Sequence, residues 1–366
     1  MKKKLIRKIM LGVMSLITVV STSMCTPIYA ASTADIENIA KNAPQAIIPN
    51  EDWTNIEVLN CKPLYNFSNE LIAYSVDLKN NDNNKNAYVI VSKDEKDGPI
   101  LQLGVDTESP YDKLSDDDKT PIYDGVSRYY YQEDSSNEYY DISNDKVIEE
   151  QEVDSLKLNS QQKVRTSKQP SKSKQLRTDL LEAEDPSELK YTMSSTRSGL
   201  EAHILTGVPD YRWRKGCAPT ASAMVLKALY QSDLRNTSSS ELIDELADEM
   251  DTDSNGSTYT SKLYRGINNV LSSHDIDGNA RLYKNPSFSK AVSQIDKNRP
   301  FILSVYNNKQ SLGSYSNGFG NHSMACLGYS KSSGSYLVVH DTACDGNIYC
   351  DYNSSSFGTC DYTFVD

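Results

Sequence analysis

Gly216-Cys217-Ala218-Pro219-Thr220-Ala221-Ser222-Ala223-Met224-Val225-Leu226-Lys227-Ala228-Leu229 is the stretch on which the reading of this 366-residue chain turns. Past Pro219 the apolar residues Ala221, Met224, Val225, Ala228 and Leu229 recur with helical spacing, which predicts a helix with one buried face. Pro219 fits the first turn, where its missing N–H would have no partner. Cys217 therefore sits at the start of the helix, where the unpaired N–H groups and the positive dipole end favour negative charge. A thiol placed there is drawn below its ordinary value of about 8.5 toward the nucleophilic thiolate. The other common state of a free cysteine is that of a small buried hydrophobe.

A thiol nucleophile needs a base to take its proton and return it to the leaving group, and it profits from a polar group that orients the base. All four histidines, His203, His274, His322 and His340, follow residue 200. His322 ends the glycine-flanked loop Asn317-Gly318-Phe319-Gly320-Asn321 and feeds an apolar strand from Ser323 to Tyr329. Ser332-Ser333-Gly334 reads as a turn into a second strand, Tyr336 to His340, followed by Asp341. Antiparallel pairing of these strands brings His322, at the start of one, beside Asp341, at the end of the other. His340 points to the opposite face. His203 has no evident partner, and His274 reads as a helix end.

Outward from this region, the N-terminus carries Lys2, Lys3, Lys4, Arg7 and Lys8, an apolar run from Ile9 to Val20, and the small-residue end Ala30-Ala31. This predicts a secretory signal peptide over residues 1–30, cleaved after Ala30, and a released protein. Met24 stands where a lipoprotein signal at Cys25 would place a small residue. With 38 basic and 50 acidic side chains, the net charge is -12. That balance gives no electrostatic footprint for nucleic acid or for an anionic membrane surface.

Residues 31–150 read as an acidic β-rich domain, with strands at Leu71–Leu78, Ala87–Ser92 and Ile100–Leu103 and a helical stretch after Ser115. The tyrosine clusters at 129–131 and 139–140 suit a core or an exposed patch. Residues 151–200 read as a flexible basic linker: from Lys157 to Arg177 there are seven Lys/Arg and no acidic residue. Such a segment is an inert spacer or a processing site. Residues 201–366 carry the chemistry.

The segment Pro209-Asp210-Tyr211-Arg212-Trp213-Arg214-Lys215-Gly216-Cys217-Ala218-Pro219-Thr220 resembles the nucleophile segment of the peptidase C39-like, papain-like cysteine peptidases. The resemblance runs on through Gly256-Ser257-Thr258, His322…Gly328-Tyr329 and His340-Asp341-Thr342. It implies an α+β fold in which a helix bearing Cys217 packs on an antiparallel sheet bearing His322 and Asp341, preceded by the smaller β-rich domain. It further implies Cys217 as nucleophile, His322 as general base and acid, Asp341 as orienter, a peptide or protein substrate, and no metal or organic cofactor. One departure stands out. The glutamine that many such enzymes place about six residues before the nucleophile is here Tyr211, leaving the Cys217 backbone N–H with Tyr211 or Trp213 as oxyanion donors.

Residues 31–150 more weakly resemble the propeptides of secreted bacterial cysteine peptidases. They would inhibit the enzyme in cis until the linker is cut, or persist as a second domain that binds substrate. Cys344, Cys350 and Cys360 could supply a disulfide outside the cell. The expected activity is therefore that of a secreted cysteine peptidase made as a zymogen. The alternatives are a papain-like binding domain without activity and a cell-wall amidase.

Overall fold

In the computed structural model, which describes residues 32–114, 118–183, 201–306 and 321–366, the helix read from the sequence forms. The elements in chain order are α1 (Thr33–Ile47), β1 (Ile56–Tyr65), β2 (Leu71–Asn80), β3 (Lys85–Ser92), β4 (Ile100–Val105), β5 (Lys119–Gly125), β6 (Arg128–Glu133), β7 (Tyr139–Asp141) and β8 (Lys146–Val147). There follow α2 (Glu150–Gln162), α3 (Pro170–Glu182), β9 (Ala202–Ile204), α4 (Cys217–Leu229), α5 (Ser239–Glu249), α6 (Thr260–Ser273) and β10 (Ala280–Lys284). Last come α7 (Phe288–Ile295), β11 (Phe301–Tyr306), β12 (His322–Ser330), β13 (Tyr336–His340), β14 (Asn347–Asp351) and β15 (Thr359–Val365).

Helix α4 is buried from Ala218 to Leu226, not along one stripe alone, because sheet and helices enclose it. It lies on β11 and β12 on one side and meets α5 and α6 on the other. Its first turn is tied down by Thr220. That hydroxyl accepts the Arg214 N–H at 3.1 Å and lies 2.7 Å from the Gly216 carbonyl and 2.8 Å from that of Arg214. Ser238 and Glu241 form a reciprocal cap on α5. In α6, Leu263, Ile267, Val270 and Leu271 face inward at helical spacing. Gly266 lets α5 come close, since a β-carbon there would stand 2.5 Å from Met250.

The strands form one sheet in the order β10-β15-β11-β12-β13-β14-β4-β3-β2-β1-β5-β6-β7-β8, with β9 pairing on β12. Strands β12 and β13 pair antiparallel as expected, with Ala325 opposite His340 and a bulge between Cys326 and Gly328. The strands expected at 71–78, 87–92 and 100–103 are β2, β3 and β4. The helix expected after Ser115 is not present at 119–125, which is strand β5; residues 115–117 lie outside the described residues.

Two expectations about domain organisation change. Residues 31–150 are β-rich but not free-standing: β4 pairs with β14, setting Leu103 opposite Tyr349 and Gly104 opposite Ile348. Both strands are buried almost throughout, and Tyr88, Val89 and Leu103 share a core with Val338, Ile348 and Tyr349. Residues 31–366 accordingly form one unit. The block expected to be a flexible linker carries helices α2 and α3. Three of its cations have carbonyl partners: Arg177 donates to Ser92 and Asp94, Lys163 to Asp124, and Lys168 to Tyr352. Leu156, Leu176 and Leu180 are buried. The rest of that block, 184–200, lies outside the described residues, as does the signal peptide.

Tyr129 and Tyr130 are core, whereas Tyr131 and Tyr140 stack on each other near the surface, 4.8 Å between centroids. Among the described residues all six cysteines are free, so the disulfide expected among Cys344, Cys350 and Cys360 is absent. Topology gives the reason for one pairing. Cys350 on β14 and Cys360 on β15 are four strands apart in the sheet. Four strand spacings amount to roughly 19 Å, far beyond disulfide reach.

Candidate active site

Cys217 is the first residue of α4 and His322 the first of β12, so packing the helix on that strand brings the two together. Cys217 is half-buried, and His322 is 8% exposed. Burial alone would raise the thiol. The hydrogen bond to His322 and the charge of its ring, helped by the Ser323 and Ala218 N–H groups, outweigh burial and hold the thiol below its ordinary range. Burial alone would likewise lower the imidazole, but the bond and charge of Cys217, with the charge of Asp341, hold it above its ordinary value. Each shift favours the charged form of its group, the direction in which a thiolate–imidazolium pair is stabilised.

The ring is oriented from its far side. His322 Nε2–H donates to the backbone carbonyl of Asp341 at 2.7 Å, which fixes the tautomer and leaves Nδ1 for the sulfur. The Asp341 side chain is engaged elsewhere. Its Oδ1 accepts the N–H groups of Ala343 (3.0 Å) and Cys344 (2.8 Å), and its Oδ2 accepts the Tyr129 hydroxyl (3.0 Å). The carboxylate acts on the ring only through its charge, while the main chain does the holding.

The turn that presents this carbonyl is under strain. Thr342, β-branched, has φ 67°, at a cost on the order of 1–3 kcal/mol. Trp213 N–H donates to the Thr342 carbonyl at 2.8 Å, and the Arg212 guanidinium bonds the Ala343 carbonyl and, at 2.6 Å, Asp345. The segment before the nucleophile thus braces the turn that holds the histidine.

A cavity of about 300 Å³ opens over the pair. Its walls come from both halves of the chain: Cys217, Trp213 and His322 on one side, Asp141, Lys146 and Glu152 on the other. Hairpin β7–β8 supplies Asp141 and Lys146, which pair across it. Burial raises the Asp141 carboxyl, with the charge of His322 opposing it. Burial, reinforced by Asp141 and Glu149, pushes Glu152 up to about 7.

Tyr211 does not line this cavity; it packs on the apolar cluster around α4, so its expected part in an oxyanion site is not supported. The N–H groups at the start of α4 remain. His340 bonds Pro209, His203 lies 3.5 Å from Asp296, and His274 caps α6 and bonds Glu245, all outside the cavity. Sequence reasoning missed Tyr129, Asp141 and Lys146. The strand alternation of β6 to β8 carried no signal that they would face residues distant in the chain. No cluster of metal-ligating side chains occurs among the described residues.

Residues 205–362 match the model of the Peptidase_C39 like family. Among solved structures, the prointerpain A fragment of Prevotella intermedia is similar with a TM-score of 0.40 at 10% identity, covering 83% of this chain and 97% of that one. No curated protein matches.

Proposed function

We propose that this chain is the precursor of a secreted cysteine peptidase whose nucleophile is Cys217 and whose base and acid is His322. The observation that carries this reading is the bonded thiol–imidazole pair at the floor of a cavity, each partner shifted toward its charged form. The match of residues 205–362 to a peptidase family supports the reaction class. His322 Nδ1 takes the Cys217 proton, and the thiolate attacks the scissile carbonyl. The N–H groups at the start of α4 face the developing oxyanion. Nδ1 then protonates the leaving amine, and a thioester remains. Water, deprotonated by the same nitrogen, cleaves that thioester, releasing the acid and restoring the thiol. Throughout, the Asp341 carbonyl keeps the Nε2 proton in place.

Hairpin β7–β8 and the start of α2 form one wall of the cavity over Cys217, which supports a reading in which the N-terminal block restricts protein substrates in cis while leaving room for a short peptide. The leader over residues 1–30 directs export, and a cut within 184–200 begins maturation. The test is hydrolysis of casein and fluorogenic peptides by the secreted protein, together with N-terminal sequencing. Activity is expected to accompany a new N-terminus beyond residue 183 and to vanish in Cys217→Ala. Equal turnover by Cys217→Ala would remove the reading.

A further inference from the structure

Trp213 stands four residues before Cys217 and lines the same cavity. Its position is set by the C-terminal half of the chain. The backbone N–H is bonded to Thr342, and the indole edge lies against Gly256, where a β-carbon would stand 2.6 Å from the ring. Gly256 also has φ +84°, a second reason for glycine there. The ring is therefore a fixed wall beside the nucleophile. In the intact chain it is occupied: Lys146 Nζ lies over it, 5.4 Å from the centroid. That distance is within the range of a cation–π contact.

We propose that Trp213 forms a subsite for a lysine or arginine side chain of the substrate, and that Lys146 fills it in the precursor as a stand-in. The proposal rests on the peptidase reading and gives it a substrate class. The hairpin offers an apolar side chain next door, Val147, yet Val147 remains 52% exposed and the cation is the one seated on the ring. Five carboxyl groups border the cavity, Asp141, Glu149, Glu152, Asp251 and Asp253, against the cations Arg128 and Lys146, and Lys262 pairs with Asp251. An indole face in such a field favours a cation over an apolar chain of equal length.

The experiment uses the full chain with Cys217→Ala, to prevent turnover, and Lys146→Ala, to vacate the ring. A short peptide with a single lysine is titrated against its norleucine counterpart; affinity is measured by isothermal titration calorimetry, and in chains that keep Trp213 the contact is located by the indole N–H resonances of Trp53 and Trp213, the two tryptophans of the chain. The lysine peptide is expected to bind about 3- to 30-fold more tightly, with the shift on Trp213. The preference should vanish in Trp213→Leu and survive in part in Trp213→Tyr, which keeps an aromatic face and guards against misfolding. Restoring Lys146 should weaken lysine-peptide binding by a similar factor. Equal affinity for the two peptides, a shift confined to Trp53, or a preference that outlasts Trp213→Leu would overturn the proposal. Because the readout is binding, lysine preference in a chain that hydrolyses nothing removes only the peptidase reading. Turnover without lysine preference removes only the subsite.

Discussion

The hydroxyl of Tyr129 donates a hydrogen bond of 3.0 Å to the carboxylate of Asp341, 212 residues away. Both residues are fully buried. The bond belongs to a polar chain in which Gln102 also donates to Tyr129 and, at 2.6 Å, to Tyr88. Through it the N-terminal block reaches the residue whose carbonyl holds His322. Tyr129→Phe leaves an acceptor of a buried carboxylate unpaired, at a cost of about 1–3 kcal/mol. Thermal unfolding of the full chain should show the melting temperature lowered by about 2–6 °C.

Asp341→Asn separates the main-chain role of this residue from its side-chain role. The amide oxygen can still accept the Ala343 and Cys344 N–H groups, and the carbonyl that holds His322 is untouched. Peptide hydrolysis should fall by about 10-fold or less, reflecting lost charge. An orienting carboxylate would instead cost on the order of 10⁴-fold.

The acids buried in the precursor set a pH dependence. Glu152 and Asp351 are both raised to about 7, chiefly by burial. A carboxyl raised on folding binds its proton more tightly in the folded state, so the folded chain is favoured at low pH and loses that advantage as pH rises through 7. Melting temperatures should therefore decline between pH 5 and pH 8. Glu152→Gln should flatten the decline, and a profile unchanged by that substitution would contradict the assignment.

Cutting the chain between residues 184 and 200 should not by itself separate the halves. The β4–β14 pairing and the shared core remain, and removing them would expose β14 as an apolar edge. Nicked protein should elute as one species in gel filtration under native conditions and as two fragments in denaturant.

The elements around the site were legible because their signals are local. Helical spacing after Pro219 gave α4, and the turn at 332–334 gave the β12–β13 hairpin that sets His322 beside Asp341. What escaped was contact between distant segments. The apolar run Ala87–Val91 of β3 and the largely apolar β4 are the pattern of strands covered on both faces, but an acidic composition drew a domain boundary that the sheet crosses. The basic run at 157–177 read as unstructured because it has almost no apolar content, whereas Leu176 is buried and Lys163, Lys168 and Arg177 bond main-chain carbonyls. That Asp341 would act through its carbonyl depends on Tyr129 and on the strained φ of Thr342, neither visible in a residue pattern.

The reactive state of Cys217 is the central claim, and its alkylation rate measures it most directly. The full chain is treated with iodoacetamide across pH 5 to 9, and each cysteine is quantified by mass spectrometry. Cys61, half-buried and raised to about 11 by burial, serves as the internal control. Cys217 should be modified at pH 6 at least about 10-fold faster than Cys61, and His322→Ala should return it to the profile of an ordinary thiol near 8.5. A Cys217 profile that rises only above pH 8 in the unmodified chain, unchanged by His322→Ala, would contradict the account.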